Sequence, residues 1–294
     1  MSSNSSNTTL SDNTDPHLDS IHKDVVFPKI CQRELAWLDI KDGLKKWPIW
    51  LMLAYQDIKL RYRRSVLGPF WLTLSMAITV YSMGYLYAHL FHIDLTTYYP
   101  FLIAGMLTWT LLSSMITELT DTLVSFDGLI KQIKLPYSVH IHRVVSRNLI
   151  IFFHNILVIV PVWIIFHDHI KLNLYTLLLI PGLFFIYFNA ISYGLILSMI
   201  GARYRDISQV IKSLVQVVFF VTPVLWSPQI LSEHNRYIAT WNPVYSFIEL
   251  VRAPLLGQPP TSTNLLAVAL VTLLGIGLSA KIFIRYRARI IYWL

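Results

Sequence analysis

The sequence predicts an all-α integral membrane protein with six transmembrane helices, an N-terminal amphipathic interface helix and short re-entrant helices late in the chain. Three observations predict it. Of 294 residues, 55% are hydrophobic and only 14% charged, whereas a soluble domain carries about 25% charged residues. Mean hydropathy is +0.54, so lipid must replace much of the water-facing surface. The apolar residues also fall in runs long enough to cross about 30 Å of hydrocarbon, which takes about 20 residues per helix.

Six runs free of Asp, Glu, Lys and Arg, or nearly so, stand out. They are Val66 to Phe91, Tyr99 to Thr117, Leu149 to Phe166, Leu172 to Ala202, Leu214 to about Leu225, and Leu265 to Ile284. The fourth is long enough to tilt or to break near Pro181. The fifth is short and interrupted by Pro223 and Pro228, with an upstream extension through Val210 and Ile211 in which Lys212 snorkels. From Trp226 to Pro260, prolines, apolar patches and a few charges suggest short interfacial or re-entrant helices, tolerated at membrane depth only where protein or water covers their polar groups. Three units follow: residues 1–24 as a disordered polar tail, 25–64 as a cytosolic N-terminal region, and 65–294 as the transmembrane domain. The first forty residues hold no apolar core with a small-residue cleavage site, so no cleavable signal is expected.

Charge gives orientation. Fifteen of the 24 Lys and Arg residues flank the spans on one side, at Lys59 to Arg64, Lys131 to Arg147, Arg203 to Lys212 and Lys281 to Arg289; only Lys171, Arg236 and Arg252 lie opposite. The remaining six precede the first cluster. Basic residues mark the cytosolic side, so both termini are placed in the cytosol. This distribution accounts for the net charge of +8 without nucleic acid as a partner. A single cysteine, Cys31, permits no intrachain disulfide and no metal-ligand pattern.

Two cytosolic segments carry candidate function. In Trp47 to Arg64, the residues Trp47, Trp50, Leu51, Ala54, Ile58 and Tyr62 recur at helical spacing, while Gln56, Lys59 and Arg63 take another face. Such a helix is either an interfacial anchor on anionic lipid or a lever that contacts a cytosolic partner. Between the second and third runs, Leu129, Ile130 and Ile133 form an apolar knob on a short helix between Asp127, a candidate N-cap, and Pro136. It is either a loop helix following the membrane surface or a protrusion fitting a groove on another protein.

The run Asp57-Ile-Lys-Leu-Arg-Tyr-Arg-Arg-Ser-Val-Leu-Gly-Pro-Phe-Trp71 resembles the entry to the first span in permeases of ATP-binding-cassette exporters for O-antigen, capsule and teichoic-acid polysaccharides. Leu129 to Pro136, and Asn242-Pro-Val-Tyr-Ser-Phe247 followed by Arg252, are similar to other recurrent segments of that family. The resemblance implies a bacterial inner-membrane half-transporter in which two copies form a channel for a lipid-linked polysaccharide. Two copies of a separate ATPase then bind below and hold ATP and Mg, with no cofactor on this chain. It further implies that Asp127, Leu129, Ile130, Lys131, Ile133 and Pro136 form the coupling helix. Trp47, Trp50, Ile58, Arg61, Arg63 and Arg64 belong to the interface or gate helix, and Trp226 to Leu250 forms periplasmic gate helices.

The residues themselves agree on the ATPase, since no GxxxxGK[ST] phosphate loop occurs. The spans hold few of the ionisable groups a proton-driven transporter would need. His154 and Asn155 are the one notable polar pair within a span, read as an interhelical hydrogen bond. His140 with His142, and His167 with His169, are read as exposed-loop histidines rather than metal ligands, and no GxSxG elbow supports a hydrolase. No catalytic residue is assigned. Tyr81 and Tyr85 on the first span, with Trp109 on the second, are candidate channel-lining aromatics, because rings pack on sugar C–H faces while hydroxyls hydrogen-bond. The alternatives are export of lipids or small drugs through a more apolar lumen, or a membrane-embedded sugar-phosphate transferase, which would require an acidic cluster.

Overall fold

A computed structural model describes residues 31–166, 173–230, 232–235 and 237–294. The polar tail 1–24 and the His167/His169 pair lie outside these residues. Among the described residues every regular element is helical. The order is α1 (Gln32–Lys45), α2 (Trp47–Arg61), α3 (Phe70–Phe91), α4 (Leu95–Ser125), α5 (Asp127–Gln132), α6 (Tyr137–Asn155), α7 (Val160–Ile165), α8 (Leu179–Arg203), α9 (Ile207–Val221), α10 (Tyr237–Thr240), α11 (Pro243–Leu255), α12 (Ser262–Tyr286) and α13 (Ile290–Trp293).

Four helical stretches are long and apolar enough to cross a membrane: Leu95–Ser125, Tyr137–Ile165, Leu174–Arg203 and Ser262–Trp293. The first expected run corresponds to α3, whose 22 residues carry no Asp, Glu, Lys or Arg but are enriched in Tyr, Ser and Thr. The fifth corresponds to α9, only 15 residues, because Thr222 and Pro223 end it. Two spans begin earlier or end later than their charges suggested. Tyr137–Ile165 starts twelve residues before Leu149, since Arg143 and Arg147 are paired with carboxylates and need no loop. Leu95–Ser125 likewise runs on through Glu118 and Asp121. Pro181 breaks nothing. It is the third residue of α8, where its missing N–H lacks an intrahelical partner anyway.

Helix α4 occupies the centre, packed against α3, α6, α8, α9 and α11. Its buried face runs from Tyr98 through Leu102, Leu107, Leu111, Met115 and Leu119 to Leu123, a residue about every four positions, as in a core stripe. Against it α8 approaches so closely that a Cβ on Gly201 would lie 2.1 Å from the Thr120 carbonyl oxygen. Small residues permit such backbone contact where apolar packing replaces the hydrophobic effect between helices. The outer faces of α8, α9 and α12 expose Ile180, Phe184, Val217, Phe220, Leu270, Leu273 and Leu274, a surface suited to lipid rather than water.

Side chains cap the ends that matter for position. Asp94 accepts from Thr96 N at 3.2 Å to start α4, and Asn242 accepts from Val244 N at 3.0 Å, with Pro243 at N1, to start α11. The Tyr137–Ile165 stretch tightens into a 3-10 turn at Ile156–Ile159 ahead of Pro161. Two α3 hydroxyls take carbonyls there: Thr73 bonds His154 O at 3.2 Å and Tyr81 bonds Val158 O at 2.7 Å. The His154 ring bonds only back to Ile150 O, so the tie between helices comes from the backbone rather than from the His154/Asn155 side chains.

Candidate functional site

The helix expected between Asp127 and Pro136 is shorter than that span. Helix α5 ends at Gln132, and Ile133 is already extended with Leu135 N bonded back to its carbonyl; Pro136, unable to extend a helix across this point, caps α6 instead. Asp127 is not the N-cap. Phe126 occupies that position without a side-chain bond, while Asp127 at N1 pairs with Lys131 at 2.8 Å, the favourable i,i+4 order. The apolar knob also divides. Ile130 turns inward against the core with Phe126, and Leu129 is partly buried, leaving Ile133 half exposed at 50%.

Beside α5 lies a charge network that ties the interface helix to the spans. Arg143 on α6 forks onto Asp57 of α2, Nε to Oδ2 at 2.8 Å and a second nitrogen to Oδ1 at 2.5 Å. Arg147, one turn on, bonds Asp57 at 2.9 Å and Glu118 of α4 at 2.8 Å. Asn148 adds a 2.7 Å bond to Glu118, and Arg61 approaches the same carboxylate at 3.5 Å. The Arg143, Arg147 and Asp57 side chains are only 11–13% exposed, so screening is weak and the pairs are charge-assisted. The Arg143 guanidinium also lies 4.0 Å over the Phe126 ring. The base of α5 thus contacts, through Phe126 and Arg143, the network that joins α2 to α4.

A second anchor holds the other end of the loop. Asp39 of α1, with its side chain fully buried, accepts from Tyr137 N and Ser138 N at 3.2 and 3.1 Å. A carboxylate at a helix N-terminus meets unsatisfied N–H groups and the positive end of the dipole. Ser138 Oγ adds 2.9 Å to the same carboxylate, and Arg287, just beyond α12, completes it at 3.1 Å. His140 and His142, expected in an exposed loop, are buried on α6. The cause is packing: His140 stacks on Phe126 and His142 lies between Trp50 and Tyr187.

The expected interface helix is not amphipathic in the simple sense. Ala54 and Ile58 face α6 and are buried, Trp50 is partly buried, but Trp47, Leu51, Met52, Tyr55 and Leu60 are exposed. Apolar surface thus runs around much of α2. Arg63 and Arg64 fall beyond its last turn, Arg64 at φ 71°.

The aromatics divide as well. Tyr81 is half buried, bonded to Val158 O, with its ring 5.8 Å from that of Tyr99 and tilted 59° to it. Tyr85 is 60% exposed beside His89. Trp109 faces α9, its ring 5.2 Å from Phe219. It stands in an open cleft of about 470 Å³ lined by Thr110, Ser113, Ser114, Thr117, Gln216 and Lys212. The Ser113 and Thr117 hydroxyls donate along their own helix, which leaves lone pairs to accept from a guest. This stripe went unread at the level of sequence, although Ser and Thr at three- and four-residue spacing inside an apolar span are the signal for it.

Beside the N-terminal half of α4, Arg252 of α11, only 1% exposed, pairs with Glu249 at 3.1 Å. It also donates to Pro223 O at 2.9 Å and Val224 O at 3.0 Å. Its guanidinium lies 4.0 Å from the Phe101 ring and against Gly105, where a Cβ would collide with it at 2.2 Å. Burial, reinforced by Glu249, pushes the Tyr245 hydroxyl up to about 12, so it stays protonated beside that carboxylate. Tyr98 OH bonds Leu225 O at 2.9 Å and Asn242 bonds Thr222 Oγ1 at 2.9 Å. The non-helical backbone after α9 is thus satisfied by side chains, as apolar surroundings require.

Comparison with known proteins gives the family of the chain. The family described as ABC-2 type transporter matches residues 49–256. The chain is 22% identical over 240 residues to an O-antigen export system permease protein RfbA of Klebsiella pneumoniae, covering 80% of this chain and 92% of that protein. A second such permease of Klebsiella pneumoniae aligns at 22% over 209 residues, 67% of this chain and 76% of the relative. That of Myxococcus xanthus aligns at 22% over 240 residues, 79% and 90%. The match takes in α2, the charge network, the cleft and the buried Arg252, and with it the chain belongs to the ABC-2 type transporter family.

Proposed function

We propose that this chain is the channel-forming permease subunit of an ATP-driven exporter that moves a lipid-linked polysaccharide across the bacterial inner membrane. The observation that carries the cargo is the cleft between α4 and α9. Hydroxyls from Thr110, Ser113, Ser114 and Thr117 stand on one wall, and Trp109 and Phe219 supply flat faces, a pairing that suits pyranose rings better than an acyl chain or an apolar drug.

In this reading six helices cross, the four long ones joined by α3 and α9. At 1.5 Å per residue α3 is about 33 Å long and α9 about 22 Å, and the bonded segment after α9 supplies the remaining depth. Residues 25–64 lie at the cytosolic face and 65–294 form the transmembrane domain. Both termini are cytosolic, and α10 and α11 are the periplasmic gate helices. Two copies close the channel by bringing their clefts together. ATP and Mg belong to a separate ATP-binding-cassette subunit, whose closure pushes α5. The push passes through Phe126, Arg143 and Asp57 to α2, the gate helix, and on to α3.

Charge at Ile133 tests the coupling. Ile133→Asp leaves the fold intact, because the side chain is half exposed, but sets a carboxylate into an apolar contact. Permease-dependent ATPase activity of the purified complex is expected to fall at least tenfold, about 1.4 kcal/mol. Activity equal to that of the unmodified complex would remove α5 as the coupling element.

A further inference from the structure

We propose that the C-terminal turn α13 completes the docking surface for the ATPase subunit, with Tyr292 as its principal contact. This rests on the reading of α5 as the coupling helix. A four-residue turn has no stability of its own, yet α13 is fixed at several points. Lys131 of α5 donates to the Leu294 carbonyl at 2.9 Å. Ile290 is fully buried, and Trp293 packs on Tyr286 at 5.9 Å with the Arg203 guanidinium 5.6 Å over its ring. Just upstream, Arg287 reaches the buried Asp39.

What this anchoring holds outward is apolar. Tyr292 is 84% exposed and Ile291 43%, on the same end of the molecule as the half-exposed Ile133. On the elements at this end Lys131, Lys134, Arg203, Arg205 and Arg289 are exposed; of the carboxylates, Asp206 is exposed and Asp127, 35% exposed, pairs with Lys131. An aromatic and an aliphatic anchor inside a basic rim fit an apolar pocket bordered by acidic residues on a protein partner. Tyrosine is among the residues that carry most of the energy at such contacts. The bond from Lys131 makes this surface continuous with α5, so one partner would meet both.

The test measures binding of the purified ATPase subunit to the full-length permease in detergent and in nanodiscs, for the unmodified chain, Tyr292→Ala and Ile133→Asp. The proposal expects Tyr292→Ala to weaken assembly about tenfold in both media, with unchanged elution of the permease alone. Unchanged affinity for Tyr292→Ala while Ile133→Asp loses affinity would overturn it and leave the coupling helix standing. A loss confined to nanodiscs would overturn it in favour of a lipid contact. No loss from either substitution would overturn both this inference and the assignment of α5.

Discussion

Asp57→Asn is expected to destabilise the protein by about 3 kcal/mol and to uncouple ATP hydrolysis from export. Removing one partner of a buried ion pair leaves the other charge uncompensated, at a typical cost of about 3–5 kcal/mol. Here the loss falls on two guanidiniums, because Arg143 forks onto Asp57 and Arg147 bridges it to Glu118. Glu118 still holds Arg147, which keeps the expected value at the lower end. Asp57→Glu should retain part of the coupling, since the charge remains while the fork geometry shifts. Thermal unfolding in detergent measures the first effect, and glycan exported per ATP hydrolysed measures the second. Unaltered melting together with unaltered stoichiometry would show that the network neither supports the fold nor transmits motion.

The second large effect is expected at Arg252. Arg252→Met removes the counter-charge of Glu249 and two donors to the carbonyls of Pro223 and Val224, at a position only 1% exposed. A loss of about 4 kcal/mol follows from the buried pair and the stranded acceptors together. Adding Glu249→Leu should recover only part of it, because replacing both charges relieves the ion but leaves the carbonyls unbonded. Arg252→Lys should also fail, as one ammonium cannot reach three acceptors and stack on Phe101 at once. The yield and melting temperature of the three variants decide the matter; full recovery in the double variant would confine the role of Arg252 to charge balance.

These effects sit where the sequence was hardest to read. Apolar runs disclosed the lipid-facing protein, because the period of α4 and the bare composition of α8 and α12 are properties of single segments. Arg143 and Arg147 misled, since a count of charges treats every cation as solvent-facing until its partner is known. Their partners lie 86 and 29 positions away at Asp57 and Glu118, a separation no local pattern reveals. His140 and His142 misled for the same reason, being buried by Trp50 and Tyr187 from other helices and by Phe126 between α4 and α5. The position of α5 was legible from Pro136 and the flanking runs, but its inward-turned Ile130 depends on the packing of Phe126. Arg252 stood out as a cation on the sparsely charged side and in a stretch that resembles the exporter permeases; its burial belongs to the non-helical backbone at Pro223.

This chain is expected to conduct a lipid-linked polysaccharide when a separate ATPase drives it. Proteoliposomes containing the permease, its ATP-binding-cassette partner and a fluorescent lipid-linked glycan test it most directly, with the glycan's exposure to a glycosidase as the readout. ATP is expected to move the glycan across the bilayer only when both subunits are present, and Ile133→Asp to abolish the movement. Translocation that proceeds equally without ATP or without the permease would contradict it.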